Sequence, residues 1–599
     1  MVFGHNVNKY YLKYWYLYLL GILALIVVDY ANSVIPPQII SKIIDGLNGE
    51  LDMTREVFVN TELNPLIIKL VVILVVSFVC RALWRIGFFG VGFRAARDMR
   101  HELFAKSLTL SQSFYSDNKV GGLMSYYIND VQSVRESLGW GTMMLFDSFF
   151  LIPMVLYNMF KVNWLVTLLC LIPLILIAVL GGLVGMYMEK KYKARQDSFE
   201  RLSDYTQESI SGIRVVKAFV REAQELRDFQ KINKNNEKVN IDYLRLSVLF
   251  NVLVEVLIWT VYFLIVIFGS LFVLSKTGND KLNGLTIGEL TALVAYFDTL
   301  LWPMFAIGDI INMHSRGTAS LKRLDFILDQ KTDLIEKEDA VELKDFKGNI
   351  KFNHLSFKYP DSKDIYALND VSFEIKAGEF IGIIGRTGSS KTTLVNLLLR
   401  LYNIEPNEIF LDGKDIMDYK IKDVRDSIGY VPQDNFLYSA SIESNIAFSS
   451  NDPDQDKVRK EARIAGVDSD IMAFPKTYET KLGERGVSVS GGQKQRISIA
   501  RALYKDPKVL ILDDSLSAVD TKTEADILKY LREDRKGKTT ILIAHRVSSI
   551  KDADKILVLG DNGTVSGFGT HAELIESNEI YKETYRLQQL DEIGGVSHE

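Results

Sequence analysis

Apolar residues are concentrated in the first part of the chain, where six segments are long enough to cross a lipid bilayer. A membrane-spanning helix needs about 20 mainly apolar residues, and each segment meets that length. The segments are roughly residues 15–35, 66–91, 139–160, 163–186, 246–275 and 286–312. No small-residue cleavage site follows the first apolar run, so we expect it to remain as a span. An even number of spans returns the chain to its starting side.

The charges of the connecting segments predict how these spans are oriented. Residues 92–138 and 189–245 are rich in lysine and arginine, whereas the connection at 45–62 is acidic. Because cytoplasmic loops carry an excess of positive charge, both basic segments and both chain termini are predicted to lie in the cytoplasm. The basic segments also keep helical periodicity with few breakers, so the membrane helices are predicted to continue well beyond the bilayer.

Ionisable residues interrupt the predicted spans, although a charge in hydrocarbon is unfavourable. Helix-helix pairing or a position near the interface would account for any one of them. Together with aromatic residues, whose faces attract cations, the acids could instead line a cavity for amphipathic, often cationic, molecules. The ionisable residues are Asp29, Arg81, Arg85, Asp147, Glu255, Asp298 and Asp309. The aromatic residues are Trp259, Tyr262, Tyr296, Phe297, Trp302 and Phe305, for which ordinary packing is the alternative.

Beyond residue 330 the sequence has the pattern of a soluble α/β domain. We therefore predict a six-helix membrane domain over 1–330 and a second domain over 331–599. The 599-residue chain has a net charge of −5 and a pI near 6.0, which offers no basic surface for nucleic acid. Cys80 and Cys170 lie in apolar runs without metal-ligand spacing, so buried thiols are expected rather than a disulfide or a zinc site.

Residues 381–400, IGIIGRTGSSKTTLVNLLLR, combine a short apolar strand, a glycine-containing turn and a helix. This is the context of a phosphate-binding loop, where backbone amides wrap phosphates and the helix N-terminus adds positive potential. Lys391 is predicted to reach the β- and γ-phosphates, and Thr392 to bind Mg²⁺. Ser390 stands where a glycine normally precedes the lysine, which could restrict the backbone angles. The predicted loop comprises Gly385, Arg386, Thr387, Gly388, Ser389, Ser390, Lys391, Thr392 and Thr393.

Further motifs follow this loop in a fixed order. A buried strand over 509–512 ends in Asp513, placed to hold Mg²⁺, and Asp514 occupies the position of a catalytic base. The string SGGQ opens an amphipathic helix and forms a second anion site. Each motif alone has an ordinary structural explanation, but the complete order argues against it. The remaining motif residues are Gln433, Ser490, Gly491, Gly492, Gln493, Asp520 and His545.

This order of motifs after six spans resembles the ABC exporters whose half-transporters carry one membrane domain and one nucleotide-binding domain. The resemblance covers almost the whole chain and implies an ATPase coupled to transport across a bacterial plasma membrane, with ATP and Mg²⁺ as cofactors. It assigns Tyr359 to stacking on adenine, Gln433 to Mg²⁺ and the γ-phosphate, His545 to the γ-phosphate, and Glu484 to contact with the membrane domain. The details DDSLSAVD, LWPMFAIG and SGGQKQRISIARAL are most similar to the BmrC-type subunit of heterodimeric bacterial multidrug exporters.

In that family two nucleotide-binding domains close head to tail, with each ATP between one chain's phosphate loop and the other chain's SGGQ. The base that orients the attacking water is normally a glutamate at the position of Asp514. Aspartate is one methylene shorter, so its carboxylate should stop roughly 1 Å short of a water that it must approach to within about 3 Å. A misplacement of about 1 Å can lower a rate on the order of 100-fold. The site is therefore predicted to bind ATP but hydrolyse it poorly, which favours an unlike partner that carries the glutamate. A homodimer in which aspartate suffices is the alternative.

The sequence predicts ATP-driven export of amphipathic small molecules, with segments 114–131 and 204–219 resembling the family's coupling regions. A lipid or peptide exporter would share this layout. An alternative from another class is a sensor subunit in which ATP changes a partner's state without moving cargo. The six spans argue against a soluble ABC protein acting on DNA or ribosomes, and the fused domain order argues against an importer.

Overall fold

The computed structural model describes residues 3–51, 53–118, 120–276, 284–362, 365–483 and 489–594. The chain divides into two compact units. The first comprises Met1–Leu108 and Val120–Gln330, and the second comprises Thr109–Lys119 and Lys331–Glu599. A short segment from the first predicted cytoplasmic connection therefore belongs to the second unit.

The first unit is helical, and its longest helices far exceed the hydrocarbon thickness. At about 1.5 Å per residue, the 55-residue helix Glu222–Lys276 is about 80 Å long. The helices are α1 (His5–Lys13), α2 (Trp15–Ser33), α3 (Ile35–Asn48), α4 (Arg55–Phe58), α5 (Asn64–Ser107), α7 (Val120–Ser125), α8 (Val131–Glu136), α9 (Thr142–Val162), α10 (Trp164–Ser211), α11 (Ile213–Ala218), α12 (Glu222–Lys276) and α13 (Ile287–Leu328), with α6 (Gln112–Asp117) in the second unit. As predicted, α5, α10 and α12 extend beyond the spans 66–91, 163–186 and 246–275 into the basic segments.

Among the described residues, five helical stretches are long and apolar enough to span a membrane. They are Trp15–Asn48, Arg55–Ser107, Gly121–Val162, Glu222–Ser275 and Ile287–Leu328. The predicted span 163–186 falls in α10, whose described apolar stretch Trp164–Ile177 is shorter. In the most apolar 18-residue stretches of α5 and α12, only 11% and 17% of the residues are buried. Their apolar faces are thus available to lipid or to another subunit.

The last long helix, α13, begins at a strongly defined cap. Thr286 and Glu289 form a capping box, with bonds of 3.0 and 2.8 Å between side chain and backbone. Asp45 of α3 accepts hydrogen bonds from the Gly288 amide at 2.8 Å and the Thr286 hydroxyl at 2.7 Å. A Cβ atom on Gly288 would lie 2.2 Å from the carbonyl oxygen of Ser41. Glycine is thus required where α3 and α13 meet.

The aromatic residues predicted on the last two spans differ in how deeply they are buried. Tyr296 and Phe297 are fully buried in the helical core, so ordinary packing accounts for these two. Trp259, Trp302 and Phe305 are about half exposed or more on this chain. Cys170 is buried as expected, but Cys80 is only half-buried because it lies on the weakly buried helix α5.

The second unit contains two sheets and the helices that cover them. The four-stranded sheet has the order β2-β1-β4-β5 and the six-stranded sheet the order β10-β9-β3-β8-β7-β6. The strands are β1 (Ile350–Phe357), β2 (Leu368–Ile375), β3 (Phe380–Gly385), β4 (Ile409–Leu411), β5 (Lys414–Asp415), β6 (Ile428–Val431), β7 (Val509–Asp513), β8 (Thr539–Ile543), β9 (Lys555–Leu559) and β10 (Val565–Gly569). The helices are α14 (Lys391–Leu398), α15 (Ile421–Ser427), α16 (Ile442–Ile446), α17 (Gln455–Ile464), α18 (Asp468–Met472), α19 (Gly491–Tyr504), α20 (Thr521–Asp534), α21 (Val547–Ile550), α22 (His571–Ser577) and α23 (Glu579–Gly594).

The central strands of the larger sheet are buried on both faces. In β7, Leu510 and Leu512 belong to one hydrophobic core, whereas Val509 and Ile511 belong to another. Alternate side chains of a strand point to opposite faces, so the two cores lie on opposite sides of the sheet. This is why every residue of β7 and β8 is buried, with no alternation of buried and exposed positions.

Candidate nucleotide-binding site

The predicted site residues come together at the carboxyl ends of four parallel strands. Strands β3, β8, β7 and β6 are neighbours in that order, and residues within two positions of each strand's end are paired with one another. The phosphate loop follows β3, His545 follows β8, Asp514 follows β7 and Gln433 follows β6. Ligands bind at this edge of open α/β sheets. Residues up to 160 positions apart in sequence therefore converge because of sheet order.

The phosphate loop depends on backbone geometry that glycine supplies at two positions. A Cβ atom on Gly385 would lie 2.5 Å from Ser389 Oγ and 2.6 Å from the carbonyl oxygen of Leu559. Gly388 has a φ of +86°, in the left-handed region that favours glycine. Ser390 also adopts this region, with a φ of +65°, although it carries a Cβ atom. A non-glycine residue there is disfavoured by about 1–2 kcal/mol.

Lys391 is held over this loop at the first position of α14. Its side chain is buried, and Nζ donates to the carbonyl oxygens of Gly385 at 2.9 Å and Arg386 at 3.0 Å. Burial lowers the pKa of Lys391, while the charges of Asp513 and Asp514 oppose that shift. The ammonium group thus sits at the entrance to the α14 N-terminus, where a phosphate would meet both.

Asp513 has the properties of a cation ligand. Its side chain is buried, and its Oδ2 atom has no hydrogen-bond partner. Burial raises the pKa of Asp513, and the hydrogen bond from Thr392 opposes the shift. An orphaned carboxylate oxygen beside a threonine hydroxyl matches the oxygen ligands that Mg²⁺ prefers. Asp513 and Thr392 could therefore hold the metal, as the sequence predicts.

The three predicted catalytic residues, Gln433, Asp514 and His545, follow the ends of β6, β7 and β8. Gln433 Nε2 lies 3.5 Å from Asp514 Oδ2, a distance at the limit of a hydrogen bond. A cavity of about 110 Å³ is lined by Asp514, His545, Glu524 and Ser549, among others. That volume has room for ordered water. Asp514 is half-buried and has a φ of +46°, a conformation that aspartate tolerates better than most side chains.

Tyr359, predicted to stack on adenine, is held by two other aromatic rings. Phe357 and Tyr402 meet it nearly edge-on, with ring centroids 5.1 and 5.2 Å away. Its hydroxyl lies 2.9 Å from Thr393 Oγ1 of the phosphate loop. Thr393 is buried and directed to this ring. The tyrosine is thereby oriented by the loop whose nucleotide it would contact.

The SGGQ residues form a helix cap next to another motif. Ser490 Oγ accepts from the Gln493 amide at 3.2 Å, and Gln493 Oε1 accepts from the Ser490 amide at 3.0 Å. A Cβ atom on Gly492 would lie 2.9 Å from the carbonyl oxygen of Ala518. Asp520, predicted to bind nucleotide, caps α20 by accepting from the Thr523 amide at 3.0 Å, and this bond lowers its pKa. Among the described residues, no hydrogen bond or ion pair joins SGGQ to the phosphate loop of this chain.

Some residues near the site were not predicted from sequence. Tyr402 and Tyr430, which contacts Asp513, are unremarkable aromatic residues in their local sequence, and only the fold brings them to the site. Ser113 of α6 donates to Asp333, and Ser116 lies beside Tyr402, which connects the segment Thr109–Lys119 to the aromatic cluster. Glu484 lies outside the described residues.

Comparison with known families identifies both parts of the chain. The family model described as "ABC transporter transmembrane region" matches residues 18–304, and the model described as "ABC transporter" matches residues 368–517. The second match contains the phosphate loop, Gln433, SGGQ, Asp513 and Asp514.

Relatives cover nearly the whole chain. The probable multidrug resistance ABC transporter ATP-binding/permease protein YheI of Bacillus subtilis (strain 168) is 37% identical over 586 residues, which is 98% of this chain and 97% of that protein. The multidrug resistance-like ATP-binding protein MdlA of Escherichia coli (strain K12) is 32% identical over 98% of this chain and 96% of that protein. A solved bacterial Atm1-family ABC exporter with ATP bound has a TM-score of 0.75 and 25% identity, and the match covers 95% of this chain and 98% of that chain. The chain therefore belongs to the ABC transporters, as a multidrug-resistance-like exporter half that fuses a helical transmembrane domain to an ATP-binding P-loop domain and couples ATP hydrolysis to transport.

Proposed function

We propose that this chain is one half of a heterodimeric exporter of amphipathic small molecules, in which its own phosphate loop forms a weakly hydrolytic ATP site. The domains would be the membrane part, 1–330, and the nucleotide-binding part, 331–599. The bacterial multidrug-type relatives support the cargo class. The proposed location is the plasma membrane of a bacterium, with the termini and the nucleotide-binding part in the cytoplasm.

The proposal rests on one residue above all, which is Asp514, the aspartate that follows Asp513. Asp514 lines the cavity of about 110 Å³ beside His545, but its side chain is one methylene shorter than the glutamate that the family uses. Three further features support nucleotide binding: Lys391 lies over the loop, Tyr359 is hydrogen-bonded to Thr393 where it could contact adenine, and Asp513 has an unpaired oxygen that could bind Mg²⁺ with Thr392. This combination supports tight ATP binding with slow turnover.

SGGQ is intact and would complete the site of the partner chain. The Ser490 oxygen accepts a bond from its own helix, which leaves the hydroxyl hydrogen available to a γ-phosphate. The N-terminus of the 14-residue helix α19 adds positive potential there. An unlike partner with glutamate in place of Asp514 would then supply the competent phosphate loop.

The test compares two substitutions in the full-length chain purified together with its partner. Asp514→Asn should leave most of the ATPase activity, because the weak site contributes little turnover. Ser490→Ala should remove most of it, because that hydroxyl serves the partner's competent site. If Asp514→Asn stops turnover as completely as Ser490→Ala, this chain supplies a working base and the proposal is wrong.

Two control variants sharpen this comparison. Ser490→Thr keeps both the helix cap and a hydroxyl, so it should retain activity that Ser490→Ala loses. Asp514→Glu restores the missing methylene and should raise turnover of the chain purified alone by about tenfold or more. No gain from Asp514→Glu would argue against side-chain length as the cause of slow hydrolysis.

A second candidate cargo is lipid. An ATP-dependent lipid A-core flippase of Syntrophus aciditrophicus (strain SB) is 32% identical over 506 residues, 84% of this chain and 82% of that protein. Vesicles containing this chain and its partner should move amphipathic dyes in an ATP-dependent manner if the proposal holds. Movement of labelled lipid without dye would favour the lipid alternative, and movement of neither would favour a sensor subunit.

A further inference from the structure

The side chain of Gln588, on the C-terminal helix α23, makes two hydrogen bonds to the backbone on either side of Arg546. Its Nε2 atom donates to the carbonyl oxygen of His545 at 2.7 Å. Its Oε1 atom accepts from the amide of Val547 at 2.7 Å. Val547 is the first residue of α21, so its amide has no acceptor within its own helix. A glutamine from another helix therefore fixes the backbone that carries His545.

The position of Gln588 is itself fixed by the buried start of α23. Tyr581 is fully buried, its hydroxyl lies 2.7 Å from His571 Nδ1, and its amide donates to Asn578 at 2.9 Å. Tyr585 packs against the His571 ring, with centroids 5.3 Å apart. Residues 581, 585 and 588 share one face of a helix because of their spacing. The amide of Gln588 is thus presented from an anchored surface.

The same helix also reaches the phosphate loop. Arg386 lies 3.4 Å from Glu583 of α23 and 3.5 Å from Asp561. These side chains are well exposed, so the ion pairs alone contribute little stability. They nevertheless place α23 beside both the loop after β3 and the segment after β8. The His545 ring makes no hydrogen bond to another described residue, so the bond that Gln588 makes to the His545 carbonyl constrains this residue through its backbone.

We propose that Gln588 is a positioning residue for His545, through which the C-terminal helix sets how strongly this chain's site prefers ATP over ADP. The inference rests on the proposed function and on the role that the family resemblance assigns to His545, contact with the γ-phosphate. ADP has no γ-phosphate, so misplacement of His545 should weaken ATP binding and leave ADP binding unchanged. A purely structural contribution of Gln588 would weaken both nucleotides together.

The test measures nucleotide preference in the full-length chain with its partner. The complex is photolabelled on ice with 8-azido-ATP and Mg²⁺, unlabelled ATP or ADP competes, and the label on this polypeptide is quantified. Gln588→Ala should lower the ATP preference over ADP by about 3- to 10-fold, as expected for the loss of one or two hydrogen bonds. Gln588→Glu, which keeps an acceptor for Val547 but places a carboxylate against the His545 carbonyl, should lower it at least as much. Gln589→Ala is the matched control, because it alters the same residue type at an exposed neighbouring position.

The variant His545→Ala distinguishes a failure of the Gln588 inference from a wrong placement of His545. If His545→Ala lowers the ATP preference and neither Gln588 variant does, Gln588 is not a positioning residue and the proposed site is unaffected. If His545→Ala leaves the preference unchanged, the placement of His545 at the γ-phosphate is wrong, and this inference fails with it. Equal weakening of ATP and ADP by both Gln588 variants would also overturn the inference.

Discussion

Two residues of the nucleotide site adopt backbone conformations that their side chains disfavour. Ser390 and Asp514 both have positive φ angles, at the turn into α14 and at the turn after β7. Residues in such regions persist only where the surrounding structure holds them, and they are concentrated at functional sites. Both positions also depart from the residue that the family resemblance implies. Both departures from the family's residue therefore lie at backbone positions with positive φ within the nucleotide site.

Substitutions of Ser390 should rank by their tolerance of the left-handed region. Ser390→Gly should tighten ATP binding about two- to fivefold, because the loop no longer has to hold a Cβ atom at positive φ. Ser390→Val should weaken it, because β-branched residues are outliers there. Competition of ATP against a fluorescent nucleotide measures the order. Equal affinities for the glycine and valine variants would show that this backbone angle does not limit binding.

The raised pKa of Asp513 predicts that metal-nucleotide binding releases protons. Burial raises this pKa above its ordinary value of 3.8 in the ligand-free chain, and Mg²⁺ binds the ionised carboxylate. As the pH falls toward the raised pKa, affinity for Mg²⁺-ATP should fall and more protons should leave on binding. Calorimetry in two buffers of different ionisation enthalpy measures the release. Nucleotide supplied without Mg²⁺ should release fewer protons, and equal release would contradict the assignment.

The same shift has a defined sign for folding stability. Because the folded pKa lies above the unfolded value of 3.8, the folded ligand-free chain binds more protons between those two values. The contribution of Asp513 to stability is therefore fully present below pH 3.8 and is lost as the pH rises through the folded pKa. Bound Mg²⁺ would remove this unfavourable effect of the ionised carboxylate at neutral pH.

At the scale of helices, the acids of the membrane part have different surroundings. Asp29 of α2 and Asp147 of α9 are both buried and hydrogen-bonded to one another, and Trp302 Nε1 donates to Asp147 at 3.1 Å. Asp298 of α13 is exposed on this chain and accepts from the hydroxyl of Tyr262 on α12. Pairing between helices accounts for the first two acids, whereas the side chain of Asp298 is not buried in this chain.

Neutralising Asp298 should therefore affect charged cargo selectively. Asp298→Asn should lower transport of cationic dyes by about fivefold, which corresponds to about 1 kcal/mol of lost attraction. Transport of neutral dyes should change little. Tyr262→Phe removes the hydrogen-bond donor but keeps the carboxylate, so it serves as the control in the same vesicle assay. Equal loss of both dye classes in Asp298→Asn would indicate a packing role.

At the scale of the whole molecule, the orientation in the membrane remains a prediction from loop charge. A cysteine in place of Asn48, in the acidic connection, should react with an impermeant thiol reagent applied from outside the cell. A cysteine in place of Lys193, in a basic segment, should react only after the membrane is opened. Both variants are made with Cys80→Ala, because that native thiol is half-buried. Labelling with the opposite sidedness would overturn the orientation. A cysteine near Lys281 would probe a loop outside the described residues.

Much of the nucleotide site was accessible to sequence reasoning because its chemistry is local. Lys391 follows its glycine-containing turn directly, and Asp513 ends the strand that carries it. Gln588 gave no such signal, because it lies 43 residues from His545 and belongs to a helix with no recognisable motif. The packing of Tyr402 against Tyr359 was hidden for the same reason, since the two rings meet only when β1 and the segment after α14 are folded together.

The sequence by itself determined the class of the protein. Long apolar runs require helices that satisfy their own backbone in a membrane, and a phosphate loop followed by SGGQ and paired aspartates requires a nucleotide. Only the tertiary structure decided which side chains meet. It gathered the ends of β3, β8, β7 and β6 at one edge and assigned Thr109–Lys119 to the second unit. It also separated the buried Tyr296 from the exposed Trp302 on one helix. Strand order and helix packing depend on contacts between residues far apart in sequence, so no local pattern encodes them.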